Sequence, residues 1–176
     1  MLPGIRGVIG KRVLSPPGSI LVAVSGAYNF LVPDFDMLLI ELWGPGASGS
    51  SGGFEWVGYL QPKPGIGGGG GGYCAKTYRS QAFVPGSLLA AVVGSPGIDT
   101  TVAGAALIAR GGEGSSGGTA SGGDTNATGG AAWGSIGGPG ANGGPQGTAP
   151  GGGGHGAPGW ETPGLGAIGQ LKFTWA

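Results

Sequence analysis

GGEGSSGGTASGGDTNATGGAAWGSIGGPGANGGPQGTAPGGGGHGAPGWETPGLG, running from Gly111 to Gly166, contains 24 glycines in 56 residues. It lies inside the chain, opened by the strand-like Ala106-Ala-Leu-Ile-Ala-Arg110 and closed by Ile168-Gly-Gln-Leu-Lys-Phe-Thr-Trp175. Its glycines fall in phases of three. Gly111, Gly114, Gly117 and Gly123 share one phase, with Ala120 in the missing slot. Gly134, Gly137, Gly140 and Gly143 share a second, and Gly153, Gly156 and Gly159 a third. Three residues per turn is the polyproline II repeat, which rises ~3.1 Å per residue and makes no internal hydrogen bonds. Its backbone groups must find partners in water or in a neighbouring helix. Where every third residue lacks a side chain, such helices can pair backbone to backbone. The expectation is a folded bundle of short polyglycine II helices, in runs of ~12 residues spanning ~37 Å. Turns are expected where the phase slips, near Gly129-Gly130, Gly143-Gly144 and Gly151–Gly154. The competing reading is a flexible Gly/Ser-type loop, which needs neither triplet phasing nor freedom from charge.

Glycine supplies 47 of the 176 residues and proline 14, a level that ordinarily flags low complexity. Charged residues are only 9% and mean hydropathy is positive, the reverse of a disordered chain. Outside the glycine region and the first 18 residues roughly 100 residues remain for a core, which is small for independent stability. The net charge is zero, so no basic field recruits nucleic acid or anionic lipid. Arg6, Lys11 and Arg12 make the start basic, as a docking arm or as a solvated terminus. The glycine region holds only Glu113, Asp124 and Glu161 as charges. No long apolar run marks a signal peptide or a membrane span, so a soluble product without membrane insertion is expected.

Helical spacing is nearly absent, because glycine or proline interrupts every window. Short β-type runs take its place: Ser19–Ser25, Tyr28–Val32, Asp36–Trp43, Phe54–Leu60, Tyr73–Arg79 and Leu88–Val93. In the terminal strand Leu171, Phe173 and Trp175 face one way, and Gln170, Lys172 and Thr174 the other. This reads as an all-β chain: a jelly-roll-like β-sandwich with an inserted polyglycine II bundle and essentially no α-helix. The division expected is an attachment arm over 1–18, the sandwich over 19–110 plus 167–176, and the insertion over 111–166.

Catalytic and cofactor motifs do not assemble. The run 67–72 satisfies GxGxxG trivially, but a strand follows it where the dinucleotide fingerprint requires a helix. The single histidine, His155, excludes a histidine-based triad or metal cluster, and is either a loop-tip contact or a turn residue. One cysteine, Cys74, excludes an intrachain disulfide framework and reads as a buried small hydrophobe. The acids are scattered, with no paired-carboxylate signature. No catalytic, cofactor-binding or metal-binding residue is therefore assigned, and the chain reads as no enzyme. Trp43 and Trp175 lie on strands and should be core. Trp133 and Trp160 lie in the glycine region, where each either caps the bundle or offers an exposed contact.

Phe30-Leu-Val-Pro33, Leu39-Ile-Glu-Leu-Trp-Gly-Pro-Gly46 and the hexaglycine ending at Tyr73 together resemble the glycine-rich domain of bacteriophage tail-fibre and tip proteins. Phe83-Val-Pro-Gly86 with Leu88–Gly94, and Leu107-Ile-Ala-Arg-Gly-Gly112, are similar to later blocks of that family. The resemblance covers roughly residues 20 to 176, and the glycine-rich ectodomain of anaplastic lymphoma kinase receptors is similar in plan. It implies a virion protein made in the host cytoplasm. Its partners would be other tail or baseplate proteins and a host surface protein or polysaccharide, and its assembly a homotrimer. It also implies adhesion through loops between glycine helices, with Asp124, Thr125, Asn126, Trp133, His155 and Trp160 as contact candidates. Arg6, Lys11 and Arg12 become virion-attachment candidates. The alternatives are a virion structural or decoration protein without receptor binding and, further off, an ice-binding surface. The chain departs from the family between residues 45 and 66, where Phe54, Glu55, Trp56, Tyr59 and Lys63 replace a glycine run. That loop is a candidate for a specific protein contact.

Overall fold

The computed structural model describes residues 14–176. Arg6, Lys11 and Arg12 lie outside the described residues. The described chain is all-β, without α-helix, and two five-stranded antiparallel sheets pack face to face. The first sheet runs in the order β1 (Gly18–Val22), β12 (Gln170–Trp175), β3 (Met37–Trp43), β6 (Tyr73–Arg79), β11 (Thr125–Ala127). The second runs β10 (Ala120–Ser121), β9 (Leu107–Ala109), β8 (Thr100–Val102), β7 (Leu88–Val93), β2 (Gly26–Leu31). A separate two-stranded hairpin is formed by β4 (Phe54–Trp56) and β5 (Leu60–Pro62).

Alternation along the strands sets the core. Register pairs Leu171 with Leu42 and Phe173 with Ile40, so these side chains share the inner face with Leu38 and Cys74. The facing sheet contributes Phe30, Leu89, Ala91, Val93, Val102, Leu107 and Ala109. The Phe30 and Phe173 rings stack between the sheets with centroids 3.8 Å apart. On the outer face Lys172 and Glu41 sit opposite each other at 3.5 Å, and Tyr73 Oη donates to Glu41 Oε1 at 2.9 Å.

The expected strands at Tyr73–Arg79 and Leu88–Val93 coincide with β6 and β7, and those over 19–25, 28–32, 36–43 and 168–175 lie within a few residues of β1, β2, β3 and β12. The Phe54–Leu60 segment differs. Gly58 reverses the chain, and what alternation suggests is one strand becomes the hairpin β4–β5. Sequence reading also misses β8, too short for periodicity to register, and β10 and β11, whose Ala, Ser, Thr and Asn look like loop. These last two lie between residues 111 and 166 yet close the edges of the sandwich, pairing Ala120 with Ala109 and Asn126 with Cys74.

The glycine-rich chain beyond the sheets is organised around Gly67–Gly72, the run that leads directly into β6. Each of its six N–H groups donates to another segment, in threefold rotation. Gly67 and Gly70 bond Gly134 O and Gly130 O; Gly68 and Gly71 bond Gly154 O and Gly151 O; Gly69 and Gly72 bond Gly114 O and Arg110 O, all at 2.7–2.9 Å. Its carbonyls receive Gly44 and Ala47 N–H, Gly118 N–H, and Gly138 and Ala141 N–H. The segments so attached also bond one another in a closed circuit: Gly112 to Pro45, Arg110 to Thr119, Gly129 to Gly118, Gly130 to Pro139, Gly153 to Gly138, Gly154 to Ala47. Six segments therefore ring the hexaglycine. A Cβ on any of its residues would strike a neighbour's carbonyl, in turn that of Ile136, Ala47, Ser116, Pro139, Gly44 and Thr119.

The surrounding segments are shorter than the triplet phases suggest. Reciprocal backbone bonds close tight turns at Glu113–Ser116 and Trp133–Ile136, in which Gly114 and Gly134 stand at φ +54° and +56°. These glycines keep the triplet phase but serve as turn residues, so runs expected to continue for ~12 residues reverse after four to six.

Candidate functional site

The hexaglycine gives the molecule a direction. Gly72 lies beside Gly44 and Arg110, the exits of β3 and β9, and continues into β6, so it marks the sandwich end. Gly67 lies beside Gly134 and marks the far end, ~16 Å away if the run rises ~3.1 Å per residue. The junction is sealed by a second apolar cluster of Trp43, Tyr73 and Ala141. Trp43 and Tyr73 rings lie 5.1 Å apart, and Trp43 Nε1 donates to Asn142 O at 2.8 Å. Trp43 is thus buried where sandwich meets glycine segments, and Trp175 packs half-buried against the main core. Burial and the Glu41 hydrogen bond and charge push the Tyr73 phenol up to about 12. Burial likewise raises the Cys74 thiol to about 11, the opposite of nucleophile activation.

The loops at the Gly67 end carry exposed aromatic side chains. Trp133 occupies the first position of its four-residue turn and is 84% exposed, with Ile136 also exposed at the last. Trp160 is 69% exposed and packs its ring on Phe54 at 4.0 Å. Phe54 opens the β4–β5 hairpin, whose Trp56 is 74% exposed, with Val57, Tyr59 and Leu60 exposed around it. In the hairpin, Tyr59 Oη donates to Gln61 Oε1 at 3.2 Å, and Gln61 Nε2 donates to Glu55 Oε1 at 2.8 Å. Ile66 and Leu165 add further exposed apolar surface. Scattered exposed apolar residues are ordinary on proteins, but three tryptophans in loops at one end are not.

Of the contact candidates read from sequence, Trp133, His155 and Trp160 stand at this end. His155 is exposed, and its carbonyl accepts Gly164 N–H at 2.9 Å. Both tryptophans, left open between cap and contact, are solvent-facing. Asp124, Thr125 and Asn126 lie elsewhere, on the sandwich edge. Asp124 Oδ2 accepts Thr77 N–H at 2.9 Å, Asn126 closes a turn on Gly123, and Thr125 pairs with Ala75. Trp56 and Tyr59, in the 45–66 loop that the sequence marks as a candidate for a protein contact, stand exposed on this hairpin. Among the described residues no group of three or more His, Cys, Asp and Glu side chains is placed to hold a metal ion, and no helix is long and apolar enough to cross a membrane. In comparisons with known proteins, no family model and no curated protein matches the chain.

Proposed function

We propose that the chain is a bacteriophage tail-fibre or tail-tip protein. In this reading the glycine-rich segments form a polyglycine II bundle on a jelly-roll-like sandwich, and the bundle holds receptor-binding loops toward the host cell surface. The threefold rotation of bonds around Gly67–Gly72 supports the polyglycine II assignment, since successive residues of such a helix point 120° apart. The observation that carries the functional reading is the exposure of Trp56, Trp133 and Trp160 on loops at the end of a scaffold joined backbone to backbone. Tryptophan is enriched at binding hot spots, and rigid support lowers the entropy cost of binding. The contact residues of this reading are Trp56, Tyr59, Trp133, His155 and Trp160. The partner is a surface protein or polysaccharide of the host.

The test is adsorption. In the virion that carries this protein, Trp56→Ala, Trp133→Ala and Trp160→Ala together should slow adsorption to host cells by tenfold or more while particles assemble normally. Unchanged adsorption by intact particles would reject receptor binding in favour of a decoration role.

A further inference from the structure

The two sides of the sandwich are built differently. On one side the edges are β10 and β11, of two and three residues, with the Gly122-Gly123 turn between them. Edges that short offer little template for another strand. On the other side the edges are β1 and β2, of five and six residues, and neither pairs with a further strand among the described residues. From residue 14 to residue 33 the chain carries no Asp, Glu, Lys or Arg, and neither strand contains proline. Charge and proline are the usual guards of an exposed edge, and here both are missing. Between these edges opens a cleft of about 350 Å³ lined by Ile20, Val22, Tyr28, Phe30, Leu31 and Phe173. Ile20 sits opposite Phe173 in register and points toward the core, yet it is 45% exposed. Leu21 and Leu31 on the same edges are 58% and 62% exposed.

We propose that this open side is a self-association surface, where β1 and β2 meet the same edges of a second copy of this chain. Strand-to-strand bonds would use the outer backbone groups of the two edges, and the apposed copy would cover the cleft and its core-facing side chains. The charge pattern selects a second copy as the occupant. A charged partner finds no counter-charge along residues 14–33. Symmetric association sets a surface against its own copy, which opposes like charges on any charged face; residues 14–33 bring none, and Lys172 beside Leu21 is paired with Glu41. The proposal rests on the sandwich alone and is independent of what the distal loops bind.

The experiment is the solution mass of the full chain by sedimentation velocity and light scattering over a range of concentrations. The wild type should show a mass of two copies or more. Leu21→Lys with Leu31→Lys should return it to the 16.8 kDa of a single chain, with an unchanged circular dichroism spectrum. Trp133→Lys, equally exposed but at the distal end, should leave the oligomer intact. If the double variant does not fold, Leu31→Lys alone replaces it. A single-chain mass for the wild type at every concentration overturns the proposal, whatever else covers the cleft. So does an oligomer that the edge variants leave unchanged.

Discussion

Replacing Gly70 by alanine should unfold the protein far more readily than one methyl group suggests. The new Cβ would point at the Pro139 carbonyl, closer than carbon and oxygen approach in folded proteins. That oxygen already accepts Gly130 N–H at 2.8 Å, while Gly70 itself donates to Gly130 O and accepts from Gly118. Neither partner can retreat without breaking a bond, because the flanking Gly138 and Ala141 N–H groups also hold the hexaglycine. Forcing extra volume into a packed site costs ~1–3 kcal/mol. Each buried backbone group left unpaired costs ~1–3 kcal/mol more. Against this, alanine lowers the entropy of the unfolded chain and returns ~0.4–1 kcal/mol. With one group left unpaired the net loss is about 1–6 kcal/mol, centred near ~3, a substantial share of the ~5–15 kcal/mol that holds a domain folded. Urea unfolding monitored by tryptophan fluorescence measures it. Gly53→Ala is the control, since no atom lies within 4 Å of where its methyl group would stand, and its midpoint should stay near that of wild type. A Gly70→Ala protein within about 0.5 kcal/mol of wild type would refute the argument that backbone contact fixes glycine there.

Three further outcomes follow from the packing and the exposed end. Cys74 is fully buried with its thiol raised to about 11, so a thiol reagent at pH 8 should label it only after denaturation. Tyr73 is neutral in both states below pH 10, but above that the unfolded phenol ionises first. Stability should therefore fall as pH rises from about 10 to about 12, and Tyr73→Phe should flatten part of that fall in melting temperature. Trp43→Phe removes the donor to Asn142 O and should cost ~1–2 kcal/mol by urea midpoint, whereas Trp133→Ala at the exposed end should change it by less than ~0.5 kcal/mol.

The sandwich was legible because its strands obey a rule that sequence displays. Leu38, Ile40 and Leu42 alternate with outward residues, as do Leu171 and Phe173, and turn residues bound each run. β10 and β11 escaped because their stability comes from the strands they join and not from their own Ala, Ser, Thr and Asn. The same blindness displaced Asp124 and Asn126 from the distal loops to the sandwich edge. Polar residues between glycines look alike whether they cap a strand or meet a partner. Trp133 and Trp160 were legible as exposed-or-capping residues because no apolar pattern surrounds them. Trp56 and Tyr59 were legible as contact candidates, but not their hairpin, because the apparent strand is one that Gly58 folds in two.

The hexaglycine carries a deeper lesson about periodicity. A segment on the outside of the packed ring faces neighbours on only part of its circumference, so it needs glycine at intervals and can carry Thr119, Pro139 or Ala141 elsewhere. A segment surrounded on all sides has no free direction, so all six of its residues must lack Cβ, and the period disappears from the sequence. The loss of pattern in Gly67–Gly72 is therefore what marks the centre, while the visible triplets mark the periphery. The arrangement also separates the supporting backbone from the exposed end. Bonds between backbone groups hold these segments together with little help from side chains, so loops at their far ends can change residue by residue without altering a side-chain core. That independence is what a surface carrying Trp56, Trp133 and Trp160 requires if those side chains answer to a partner and not to the fold.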